Sequence, residues 1–142
     1  MRILGLDVGT KRIGLAISDE LLLTAQGAKV IQRKDPSSDM NEIQDFINEN
    51  GVAEVVVGLP VNMNGTLGPK AKETTEFIDG LSKVVNVPVK TWDERLSTAQ
   101  AERTLLEADM SRARRKKVMD KVAAQVILQS YLDFRRKGKP DA

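Results

Sequence analysis

Three carboxylates in unlike surroundings are the residues of this chain best suited to chemistry. Asp7 interrupts an otherwise apolar run, Ile3-Leu4-Gly5-Leu6-Asp7-Val8. A buried, unpaired carboxylate is costly enough that it finds hydrogen bonds, a cation or a metal. Glu94 directly follows a strand-like stretch, in Trp92-Asp93-Glu94-Arg95. Asp120 shares a helical stripe with Ala124, Ile127 and Tyr131, which turns it toward the core while Arg114, Lys117 and Lys121 face elsewhere. Ordinary alternatives exist: turn amides from Gly9 to Lys11 can satisfy Asp7, and a helix dipole can accommodate Glu94. With no His and no Cys, the chain has no imidazole base, thiol nucleophile or zinc-thiolate site. Three acids from three separate elements then suit a hard cation held by oxygen, Mg²⁺ or Mn²⁺.

Two glycine-bearing loops accompany these acids. Gly9-Thr10-Lys11-Arg12 places a hydroxyl and two cations beside Asp7, and an eleven-residue loop from Gly58 to Gly68 carries Asn62 and Asn64. Loops this long between buried elements are often functional, although neither has the Walker spacing. The net charge of +2 is unevenly divided: residues 112–139 hold ten Lys and Arg against Asp120 and Asp133, and the remainder is acidic. Such segregation is the footprint of a polyanion-binding surface, most often for nucleic acid, or else a solvated helix face with a frayed tail. Trp92 reads as core rather than as a stacking platform for a base.

The elements that must position these groups follow from periodicity. Residues 2–8 and 12–18 are short apolar runs joined by Gly9-Thr10-Lys11, a hairpin signal. A third strand lies within 23–33, before the breaker Asp35-Pro36. Ser37 or Ser38 is expected to cap a helix that carries Met40, Ile43, Phe46 and Ile47 on one stripe and stops at Asn50-Gly51. Residues 53–58 form a β-branched run buried on both faces. Pro69 starts a helix with Ala71, Thr74, Phe77, Ile78 and Leu81 inward, and Val85 to Trp92 offers another strand. Ser97-Thr98-Ala99-Gln100 opens a helix to about Ala108, and Ser111 caps a last one ending near Arg136. The order β-β-β-α-β-α-β-α-α predicts an α/β fold: a mixed sheet, antiparallel early and parallel later, covered by helices. Sites in such sheets form outside the carboxyl ends of the parallel strands. With no leader and no apolar run near the roughly 18 residues of a membrane span, a cytoplasmic protein is expected.

Four segments resemble the bacterial YqgF (RuvX) family, described as Holliday junction resolvases and as pre-16S rRNA nucleases. They are Leu6 to Gly14 (LDVGTKRIG), Val57 to Gly65 (VGLPVNMNG), Asp93 to Thr98 (DERLST) and Asp120 to Gln129 (DKVAAQVILQ). The resemblance runs nearly end to end. It implies a single ribonuclease H-like nuclease domain over 1–138 with a tail at 139–142, built on a five-stranded mixed sheet. It also implies that Asp7, Glu94 and Asp120 are the catalytic, metal-binding acids. Ribonuclease H-like nucleases often hold a fourth acid; Asp93 is adjacent but points away if the strand continues.

The implied chemistry is phosphodiester hydrolysis with one or two divalent ions. Thr10, Lys11, Arg12, Asn62, Asn64, Arg95, Arg114, Arg115, Lys116 and Lys117 are the expected substrate-binding residues, and binding should weaken with salt. Family precedent favours trimming the 5′ end of the 16S rRNA precursor, in association with the ribosome, over cutting four-way DNA junctions, for which a homodimer is expected. A non-catalytic nucleic-acid-binding module is the other alternative. Asp7-Val8-Gly9-Thr10 also resembles the first phosphate loop of actin-like and sugar-kinase folds, but those need two such domains, and 142 residues are too few.

Overall fold

A computed structural model describes the backbone of residues 1–96 and 112–138, and the side chains of 1–96 and 122–137. Five strands form one sheet: β1 (Arg2–Val8), β2 (Arg12–Ser18), β3 (Ala25–Gln32), β4 (Val52–Leu59) and β5 (Val89–Asp93). Their order is β3-β2-β1-β4-β5. β1, β2 and β3 pair antiparallel, whereas β4 joins β1 and β5 joins β4 in parallel. The hairpin followed by parallel strands is the mixed sheet read from the sequence. The helices are α1 (Pro36–Asn50), α2 (Pro69–Val84) and α3 (Arg112–Gly138). The helix expected from Ser97 to about Ala108 lies outside the described residues.

Strand alternation sorts the side chains into two layers. Leu4, Leu6 and Val8 of β1 and Val55 and Val57 of β4 pack with Ile43 and Ile47 of α1 and with Phe77, Ile78 and Leu81 of α2. Their neighbours of opposite parity, Ile3 and Val56, pack with Trp92 and with Ala124, Ile127, Leu128 and Leu132 of α3. β1 and β4 are covered on both faces, which is why their sequences are nearly all apolar.

Two boundaries differ from the expected ones. α1 is capped by Asp35, not by Ser37 or Ser38: the Asp35 carboxylate accepts from Ser38 N and Ser38 Oγ, both at 2.9 Å. Pro36 then occupies the first helical turn, where its fixed φ is helical and its missing N–H costs nothing. Asp-Pro therefore opens this helix instead of standing before it as a breaker. β5 begins at Val89, not Val85. Val85 N still closes α2 on Leu81 O, and Pro88 has no N–H for a ladder but lends its carbonyl to Val55 N at 2.9 Å. At the end of α1, Gly51 takes the left-handed conformation (φ 62°) and donates to Ile47 O, the stop expected at Asn50-Gly51.

α3 is tied to the amino ends of β4 and β5 by a polar cluster in which Glu54 and Tyr131 are buried and Lys90 is exposed. Glu54, 7% exposed, accepts from Tyr131 Oη at 2.7 Å and Lys90 Nζ at 2.8 Å. Burial pushes the Glu54 carboxyl up, but the hydrogen bonds from Lys90 and Tyr131 and the Lys90 charge outweigh it and hold its pKa below the ordinary value. A carboxyl lowered by folding adds stability above its unfolded pKa and loses it as pH falls through the folded one. Glu54→Gln keeps an acceptor but loses the charge, so we expect a loss of about 1–2 kcal/mol at pH 7. That difference should shrink as the pH drops below about 4. Urea unfolding of both proteins from pH 7 to pH 3 checks this; a difference that does not change with pH would refute it.

Candidate active site

Asp7 stands near the carboxyl end of β1, half-buried, opposite Gly14 of β2. Gly5, of the same parity, lies so close to α3 that an added Cβ would stand 2.8 Å from Leu128 Cβ. Alternation therefore turns Asp7 toward the α3 face as well. The β1–β4 ladder pairs Leu6 with Val57, so its next step sets Asp7 beside Gly58. Gly58 in turn pairs with Trp92 of β5, and Leu59 with Asp93.

Glu94 opens a single 3₁₀ turn, Glu94–Leu96, directly after β5. It is half-buried, and its Cγ lies 3.2 Å from where a Gly58 Cβ would stand; Ile127 Cδ1 of α3 would be 2.5 Å away. Glu94 thus leans over the bare backbone of Gly58 on the face that Asp7 shares. Two acids 87 positions apart in sequence are thus set at the same residue of β4, near the carboxyl edge of the parallel strands: Asp7 beside Gly58 in the ladder, Glu94 over its bare backbone.

The third acid, Asp120, belongs to α3 by its backbone, but its side chain lies outside the described residues, as do those of Arg114, Arg115, Lys116 and Lys117. The described part of its stripe, Ala124, Ile127 and Tyr131, is buried against the sheet. Among the described residues no group of three His, Cys, Asp or Glu could hold a metal ion. The two described acids are hard oxygen donors, the type that such an ion takes.

The surrounding cations and amides hold varied positions. Thr10 and Lys11 are exposed in the β1–β2 turn, and Arg12 is half-buried at the start of β2, opposite Gln32. Asn62 and Asn64 fold their own loop: Asn62 Nδ2 donates to Thr66 Oγ1 at 3.1 Å, and Asn64 Oδ1 accepts from the same hydroxyl at 2.6 Å. Arg95 is engaged by Asp93, with Nη2 to Oδ2 at 2.7 Å, and its Nη1 donates to Met63 O at 3.3 Å. This guanidinium braces the 60–68 loop against the end of β5, and its hydrogen bonds hold the Asp93 carboxyl below its ordinary pKa.

One supporting residue had no signal in the sequence. Arg33, just beyond β3, donates from Nη1 to Gly9 O at 2.9 Å and from Nε to the buried Asp39 at 3.3 Å. It fixes the turn that follows Asp7, from a point that only the pairing of β2 with β3 brings near. No described helix is long and apolar enough to cross a membrane.

Comparison with known proteins places the chain in a family and a fold. A Halothermothrix orenii protein named "Putative pre-16S rRNA nuclease" is 57% identical over 137 residues, 96% of this chain and 98% of that protein. A Symbiobacterium thermophilum protein of the same name is 55% identical over 142 residues, 100% of this chain and 99% of its own. Among solved structures, T. thermophilus RuvC in complex with a Holliday junction substrate superposes with a TM-score of 0.63 at 14% identity, covering 97% of both chains. The fowlpox virus resolvase with Holliday junction DNA gives 0.53 at 14%, over 94% of this chain and 97% of the other. These likenesses establish the ribonuclease H-like fold of the resolvases. A family model described as "RuvX: Holliday junction resolvase" matches residues 1–134, and the chain belongs to that family.

Proposed function

We propose that this chain is a metal-dependent endonuclease that hydrolyses phosphodiester bonds in structured nucleic acid and trims the 5′ end of the 16S rRNA precursor in the cytoplasm. The reading is supported by the register that sets Asp7 beside Gly58 and by Glu94 leaning over that glycine, at the strand edge where α/β sheets place their sites. Asp120 is the third acid, one helical turn before Ala124. Together these carboxylates would hold Mg²⁺ or Mn²⁺. Such an ion supplies Lewis acidity toward the scissile phosphate and activates water at neutral pH, where the chain has no imidazole to do so. Thr10, Lys11, Arg12 and Arg95 border the same edge and orient the substrate phosphates, and Arg95 also braces the loop whose Asn62 and Asn64 contact the substrate. The cations from Arg114 to Lys117 extend the basic track along the backbone of a folded strand.

Cleavage of four-way DNA junctions by a homodimer is the second reading, favoured by the description of the family itself. A side-by-side assay separates the two: 16S precursor RNA and a synthetic junction, each with Mg²⁺, Mn²⁺ or EDTA. Metal-dependent shortening of the precursor 5′ end supports the first reading, and paired symmetric nicks in the junction support the second. No cleavage of either by the intact protein would leave only a binding module.

A further inference from the structure

On the face of the sheet opposite Asp7, the end of β1 opens into a pocket of about 300 Å³. Val8, Gly9 and Thr10, the three residues after Asp7, form one wall, and Pro36, Met40 and Phe77 contribute the apolar remainder. Three residues span at most about 11 Å, so pocket and acidic edge lie within a nucleotide or two of each other around the end of one strand. Ligand pockets run from roughly 300 to 1,000 Å³; this one has room for a planar heterocycle.

Its lining selects a class of ligand. The Arg33 guanidinium lies 5.3 Å from the centroid of the Phe77 ring and is already paired with Asp39. Lys70 contributes a cation, but Glu73 and Glu76, both exposed on α2, stand at the rim. A phosphate entering here would meet two carboxylates. A neutral ring with exocyclic amino groups could instead donate to them, lying against the exposed Pro36 and the partly exposed Arg33 guanidinium, a kind of surface that single-stranded bases use. An adjoining depression of about 560 Å³ is lined by Lys11, Arg33 and Lys34 and also by Asp35, Asp39 and Glu73; Asp39 is paired with Arg33 and Asp35 caps α1, so the exposed Lys11 and Lys34 are the cations it offers to the phosphates of the same strand.

We propose that this pocket receives an unpaired nucleobase of the substrate strand, one or two nucleotides from the phosphate held at the Asp7–Glu94 edge, and so helps choose the cleavage position. The proposal rests on the nuclease reading for the location of that phosphate. Its test reads binding instead of cleavage. Oligonucleotides with 2-aminopurine stepped through the positions flanking the cut are bound to the Asp7→Asn protein, and fluorescence and anisotropy are recorded. One position should change its emission severalfold on binding. Glu73→Trp, which covers the mouth from an exposed helix position, should abolish that response and weaken binding roughly tenfold, with no effect on an oligonucleotide abasic at that position. The milder Glu73→Gln/Glu76→Gln protein should reduce the response without altering the fold.

A flat response at every position, an identical response in Glu73→Trp, or no binding at all overturns the proposal. Response to free 2-aminopurine riboside alone overturns the strand assignment. A responding position in a protein whose wild type cuts nothing refutes only the nuclease reading, whereas normal cleavage with no responding position refutes only the pocket.

Discussion

Asp7→Asn is expected to lower kcat for precursor cleavage by about 10³-fold or more while leaving the protein folded. Asn matches Asp in shape, so the β1 ladder and the packing around Gly58 need not change. The substitution removes one negative charge and one hard oxygen donor. A catalytic cation supplies several kcal/mol of transition-state stabilisation, and each 1.36 kcal/mol is a factor of ten. Glu94→Gln should cost a comparable amount. The double variant should be little worse than either single one, because residues that hold one group act as a unit. Steady-state cleavage with Mn²⁺, alongside circular dichroism melting, checks the set. Activity in Asp7→Asn within threefold of the wild type would remove Asp7 from the site.

Gly5→Ala should unsettle the same site from the opposite side. The added methyl would stand 2.8 Å from Leu128 Cβ and 3.2 Å from Ala124 O, both part of the rigid frame of α3. Neither can swing away as a flexible side-chain end could, so the helix itself must shift. Overpacking of this kind costs about 1–3 kcal/mol, against which the loss of glycine's unfolded-state freedom returns roughly 0.5–1 kcal/mol. The net loss of about 1–2 kcal/mol corresponds to a fall in Tm of roughly 5 °C at this chain length. Because α3 carries Asp120, activity well below the melting range should fall too; displacing a catalytic group by about 1 Å can cost some 100-fold. Unchanged melting together with unchanged activity would show that α3 does not rest on β1 as tightly as the contact at Gly5 requires.

Much of this architecture is legible in the residues. Short, nearly continuous apolar runs mark β1, β2 and β4, and the inward stripe Ala71, Thr74, Phe77, Ile78 and Leu81 is buried as its spacing predicts. The expected edges fail where proline decides them. Pro36 begins a helix that its Asp-Pro pair was expected to precede, and Pro88 delays β5, because in each case the missing N–H matters only relative to a hydrogen-bonding partner that local sequence does not name. Arg95 shows the same limit at the site. Its charge and its place after β5 suggest a phosphate contact; that its guanidinium is also engaged by Asp93 and Met63 O is what a reading of single residues does not show.

The sequence by itself determined the chemistry open to this protein: no imidazole or thiol, three isolated acids, and segregated cations, with elements marked by backbone periodicity. The tertiary structure alone decided which acids stand at the same strand edge. Strand order β3-β2-β1-β4-β5 puts Gly58 between Asp7 and Glu94, carries Arg33 to Gly9 O across 24 positions, and brings Tyr131 to Glu54 across 77. Periodicity is a property of a few consecutive dihedral angles and can be read in any short window. Partnership across a sheet depends on how whole strands pack, which no window contains.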